Sequence, residues 1–145
     1  MKILAIEIID SSAGMLIIDG SKETYKVNNL GKLLNVPKSS DEVKDIIEFQ
    51  TNFSLNLQNI DVDLIVLCEG GNDSSKKRIR MEFSVLSECE KLNIPYQTYA
   101  SSASTKLIKT GFERATGVNI LAELEKFNLP KYMGKAFVAG WRYLK

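Results

Sequence analysis

Lys2-Ile3-Leu4-Ala5-Ile6-Glu7-Ile8-Ile9 is the stretch whose reading decides the fold. Its nearly continuous apolar character predicts a strand covered on both faces, as in sheets flanked by helices on either side. Glu7 is the exception. Side chains alternate along a strand, so Glu7 shares a face with Ile3 and Ala5, opposite Ile6 and Ile8. An unpartnered carboxylate there would cost several kcal/mol or be forced neutral. The position therefore calls for a metal ion, a cation or a cleft, unless an edge location or a salt bridge satisfies it.

Working outward, Asp10 to Gly14 reads as a turn, Met15 to Ile18 as a second strand and Lys22 to Val27 as a third. Asp19-Gly20 gives a hairpin signal between the last two. This is an antiparallel opening. After a loop ending near Pro37, Ser39 and Glu42 have the spacing of a capping box. The helix that follows is expected to bury Val43, Ile46, Ile47, Phe53 and Leu57. Asp63 to Cys68 reads as another buried strand, and a right-handed crossover places it beside the first and parallel to it. Glu69 to Asp73 is turn-rich. A long helix then starts near Ser74 or Ser75, with an expected inner stripe of Ile79, Phe83, Leu86, Cys89 and Leu92. A short strand at Tyr96–Tyr99 and helices at Ser104–Thr110, Val118–Phe127 and Tyr132–Tyr143 complete the chain. The pattern is one α/β domain over residues 1–145, a mixed sheet between helices.

Composition narrows the function classes. The chain has 145 residues, 44% apolar and 26% charged, an ordinary globular balance. Its apolar runs are too short to cross a bilayer, and its start lacks the apolar stretch and cleavage site of a signal peptide. A cytoplasmic location without membrane association is expected. Cys68 and Cys89 read as buried thiols, with no zinc spacing. The sequence contains no histidine, which removes His-based general bases, Ser-His-Asp and Cys-His arrangements and His-ligated zinc. Metal chemistry would rest on carboxylates, hence on hard cations such as magnesium or manganese.

Net charge is +1, with the basic excess gathered at Lys76, Lys77, Arg78 and Arg80. These side chains crowd the first turns of a predicted helix, where the dipole disfavours cations and a bound phosphate would relieve the conflict. A solvated face eased by Asp73 and an i,i+4 pair between Arg78 and Glu82 explains them equally. Lys106, Lys109 and Arg114 are further candidates for a phosphate backbone or for plain surface. Gly70-Gly71 lacks the spacing of a phosphate loop. Trp141, Tyr132 and Tyr143 are expected to pack rather than to stack on bases. Glu69 closes the strand expected beside Glu7, so the two acids are candidate ligands of one divalent ion.

The opening hairpin, the acid in the first strand and the acid after the fourth together resemble the ribonuclease H-like superfamily. The likeness is to RuvC-type Holliday-junction resolvases and to a related, uncharacterised bacterial family with Glu at the first catalytic position. It spans essentially the whole chain. It implies a five-stranded mixed sheet of order 3-2-1-4-5, with strand 2 antiparallel, flanked by helices. It also implies a carboxylate cluster binding two magnesium or manganese ions. Glu7 matches the first acid and Glu69 the second. The third lies on the last helix of such enzymes, in a stretch resembling Lys135-Ala136-Phe137-Val138-Ala139-Gly140, where lysine replaces the acid. Lys135 can instead pair with Glu7 or Glu69, leaving Asp10, Asp73 and Glu123 as substitute ligands.

Two functions follow. One is a divalent-metal-dependent nuclease acting on DNA or RNA through a degenerate site, with Glu7 and Glu69 catalytic and metal-binding. Lys76, Lys77, Arg78, Arg80 and Lys106 would then hold nucleic acid. The other is a non-catalytic module binding nucleic acid or protein. A homodimer is compatible with either. A lobe of an actin- or sugar-kinase-like ATPase is disfavoured, because such enzymes need two lobes.

Overall fold

β1 (Lys2–Ile9) runs through the centre of the sheet, with Ile3, Leu4, Ala5, Ile6 and Ile8 wholly buried. The computed structural model describes residues 1–33, 41–71, 73–99 and 105–145. β1 pairs antiparallel with β2 (Ser12–Gly20), which pairs antiparallel with β3 (Tyr25–Leu33). On its other edge β1 pairs parallel with β4 (Leu64–Cys68), and β4 with β5 (Tyr96–Tyr99). The order β3-β2-β1-β4-β5 is the one expected, with β2 antiparallel to β1.

The hairpins differ from the sequence reading in detail. The first turn shrinks to Asp10 and Ser11, because Asp10 takes a left-handed φ of 55° that its short polar side chain tolerates. β2 therefore starts at Ser12 rather than Met15. Asp19-Gly20 is not itself the turn. Gly20 pairs with Tyr25 across a Ser21–Thr24 loop, and β3 begins at Tyr25 rather than Lys22. At a φ of 139°, Gly20 lies against the Thr24 carbonyl where no Cβ fits.

Helices cover both faces. α1 (Glu42–Leu57) and α2 (Lys76–Lys91) lie on the face of Leu4, Ile6, Ile8, Ile65 and Leu67. On the other face Ile3, Ala5, Val66 and Cys68 meet Phe112 of α3 (Thr105–Thr116), Leu124 of α4 (Ile120–Lys126) and Phe137 of α5 (Gly134–Tyr143). A 3-10 turn at Lys131–Met133 leads into α5. α5 comes down onto β1 and β2 at Gly140, where an added Cβ would stand 2.8 Å from Ile18 and 3.2 Å from Ala5. No helix among the described residues is long and apolar enough to cross a membrane.

Both long helices are rotated from the expected faces. α1 buries Phe49, Phe53 and Leu57, while Val43 and Ile47 are 67% and 59% exposed. Its cap is Asp41, whose carboxylate accepts from the Lys44 N–H at 3.2 Å; Ser39 of the expected capping box lies outside the described residues. α2 buries Met81, Val85 and Cys89 at i, i+4 and i+8, leaving Ile79 and Phe83 exposed. Leu92, the far end of the expected stripe, is exposed too. The reason for α2 lies in its second turn, where Glu82 is anchored to Gly70 just past the end of β4.

Candidate functional site

The carboxyl ends of β1 and β4 open beside the first turns of α2 and α5. Glu7 stands opposite Cys68 in the parallel register, so these two side chains share the face that α5 covers. Only 13% of the Glu7 side chain is exposed. Burial pushes its carboxyl above the ordinary value of 4.5; the Lys135 and Arg78 charges pull it back, and Glu82 pushes it up again. Among the described residues the nearest cation is Arg78, with Nη2 at 3.9 Å from Glu7 Oε1. Arg78 Nε lies 3.6 Å from Glu82 Oε1, so one guanidinium stands between two acids. Its Nε and Nη2 are buried without a hydrogen-bond acceptor in range. Burial, then Glu7, pushes the Cys68 thiol up, which keeps it protonated.

One peptide group organises this end of the sheet. The Gly70 N–H donates to Glu82 Oε1 at 2.9 Å, and the Glu69 carbonyl oxygen accepts from Lys135 Nζ at 3.0 Å. These are the two polar ends of a single amide, one gripped from α2 and the other from α5. Bonds to ionised partners are the stronger kind, and they fix both helices to the tip of β4. Gly70 is required by crowding. A Cβ there would stand 2.5 Å from Arg78 Nε and would overlap Ser74 Oγ.

Of the predicted site residues, Glu7, Arg78 and Lys135 come together. Lys135 bonds the main chain of Glu69 rather than its carboxylate. Glu69 itself lines a cleft of about 440 Å³ with Leu67, Gly71, Ile79, Glu82 and Phe83. The acid whose charge bears on Glu7 is Glu82, not Glu69. The sequence offers Glu82 only as a surface partner of Arg78. Its spacing to Arg78 was visible in sequence, whereas its burial and its bond to Gly70 were not.

Arg80 is tied to Glu42 at 2.8 Å on the exposed side of α1 and α2. Lys76 is exposed and Lys77 partly so, at the start of a helix with no acid in its first turn. Lys106 and Lys109 fall within α3, but their side chains lie outside the described residues, and Arg114 is exposed. Glu123 is held by the Tyr25 hydroxyl at 2.7 Å and by Lys126 at 3.7 Å, and so is committed elsewhere. Trp141 packs edge-on against Phe112, with ring centroids 5.0 Å apart.

The chain is similar to solved Holliday junction resolvases. Thermus thermophilus RuvC superposes with a TM-score of 0.70 at 14% identity, over 97% of this chain and 92% of that one. The fowlpox virus Holliday junction resolvase gives 0.60 at 15% identity, over 99% and 97%. The yeast mitochondrial Holliday junction resolvase gives 0.58 at 11%, over 96% and 77%. The fold is ribonuclease H-like, of the RuvC type. No protein-family model and no curated protein matches the chain.

On this ribonuclease H-like sheet the resemblance called for two divalent ions. The donors do not fit them. Among the described residues no three Cys, Asp or Glu side chains gather where they could hold a metal ion. Two cationic side chains bear on Glu7 instead, and either would repel a divalent ion. As arranged, the centre balances a buried carboxylate with the Arg78 and Lys135 charges.

Proposed function

We propose that this chain is a nucleic-acid-binding domain on the RuvC fold, in which internal cations take the place of divalent metal. The observation that carries this reading is the Arg78 guanidinium 3.9 Å from Glu7, with the Lys135 charge acting on the same carboxylate. Recognition of phosphate is supported by Lys76 and Lys77 at the start of α2, where helix amides also attract anions. RuvC and the fowlpox enzyme have both been solved with Holliday junction DNA. The buried free thiols of Cys68 and Cys89 accord with a reducing compartment, and we place the domain in the cytoplasm.

A second reading is a nuclease holding a single magnesium or manganese ion on Glu7 and Glu69. It is favoured by one fact: burial still outweighs both cations at Glu7, so a stronger positive charge would be welcome there. The deciding experiment combines binding with cleavage. Fluorescence anisotropy with single-stranded, duplex and four-way-junction DNA, in chelator, should show binding that falls steeply with salt. The same substrates with millimolar magnesium or manganese should stay intact. Cutting that requires metal and vanishes in Glu7→Gln would overturn the proposal in favour of the nuclease. Absence of binding to every substrate would overturn both.

A further inference from the structure

A groove of about 710 Å³ opens at the end of the sheet where β1 begins, away from Glu7. The Ser21–Thr24 loop, the start of β3, and α3, α4 and α5 meet there, with Phe112, Val118 and Trp141 among its walls. Two main-chain bonds fix the loop. The Gly20 N–H donates to the Met1 carbonyl at 2.9 Å, and the Lys22 N–H to the Lys145 main-chain oxygen at 3.1 Å. The volume is that of a small-molecule site. Nucleic-acid binding at the start of α2 makes no use of it.

The lining selects the ligand. Trp141 packs against Phe112, and over its indole ring lies Lys22, with Nζ 5.6 Å from the centroid. Lys22 is exposed, and among the described residues no carboxylate pairs with it. Such a side chain lifts at little cost, so a flat ring can lie on the indole with the ammonium folded over it. Stacking on an aromatic face is tolerant of the ring's identity. The ammonium then calls for an anionic substituent on that ring. Lys126 is already balanced by Glu123 at 3.7 Å, and Glu123 also accepts from the Tyr25 hydroxyl. Glu23, exposed at the rim, is the charge that opposes an anion. We propose that this groove binds a small, flat aromatic molecule bearing an anionic group, stacked on Trp141 beneath Lys22. Aryl carboxylates and nucleoside monophosphates share that chemistry.

Trp141 is the chain's one tryptophan, so its fluorescence reports on the groove directly. The test titrates the full chain with benzoate and with adenosine monophosphate, beside benzyl alcohol and adenosine as their neutral counterparts. At least one anion is expected to quench Trp141 saturably at millimolar concentration or below, its neutral counterpart binding about threefold more weakly. Tighter benzoate would identify an aryl carboxylate site, and tighter adenosine monophosphate a nucleotide site. Lys22→Met is expected to weaken the anion about threefold and Glu23→Gln to strengthen it about threefold, neither changing the neutral counterpart. A damaged fold would not tighten binding, so the gain in Glu23→Gln separates recognition from structure. No saturable quenching by either anion, neutral counterparts bound as tightly, or an anion affinity unchanged in either variant would overturn the proposal.

Discussion

Glu7 is bound by burial to hold its proton more tightly in the folded chain than in the unfolded one. Folding therefore takes up a proton between the ordinary glutamate value of 4.5 and the higher folded value. Stability contributed by this group is full below 4.5 and is lost as pH rises through the folded value. Glu7→Gln should remove that loss. At neutral pH the variant is expected to melt above the wild type, with the gap closing as the solution is acidified. Thermal melts of both proteins across that range check it, and a variant that melts lower at neutral pH would mean that Arg78 and Lys135 depend on the carboxylate. Gly70 offers a second test at this scale. Gly70→Ala must displace the Arg78 and Ser74 side chains, at a cost of about 1–3 kcal/mol in denaturant unfolding. Sequence alone marked Glu7, Arg78 and Lys135 as out of place in their settings, but could not choose among their partners. The choice depends on three-dimensional proximity between residues more than sixty positions apart.

At the scale of elements, β1 and β4 were legible because strands covered on both faces leave no ambiguity of side. The helices were not. α2 contains two apolar stripes, Ile79–Phe83–Leu86 and Met81–Val85–Cys89, and helical period alone cannot say which faces the sheet. The Glu82 bond to Gly70 decides it, by fixing the rotation of the helix from its second turn. α1 has the same ambiguity, resolved by the larger Phe49–Phe53 pair, stacked 6.2 Å apart, turning inward. The cap of α2 is Ser75, whose hydroxyl accepts from the Arg78 N–H at 3.1 Å. Ser75→Ala should cost about 1 kcal/mol in unfolding free energy. It should also loosen Arg78, so junction affinity is expected to fall with stability.

For the molecule as a whole, the expected strand order holds because hairpin, crossover and burial leave few other arrangements of these segments. What composition could not give was the balance of charge at the end of the sheet, since a net charge of +1 says nothing of where cations meet acids. Nucleic-acid affinity should fall with salt, and Lys77→Ala should lower the slope of log affinity against log salt by about 1. An unchanged slope would remove Lys77 from the interface.

The amide between Glu69 and Gly70 has a consequence for how the two layers communicate. The sheet separates α2 from α5, yet Glu82 and Lys135 grip the same planar group from the two sides. That plane cannot rotate without breaking both bonds, so a loop amide acquires the persistence of a core one. In hydrogen–deuterium exchange the Gly70 N–H should outlast its loop neighbours. Replacing Lys135, on the opposite layer, by Met should release it, which would make one backbone proton a reporter of whether the two halves of the domain move together.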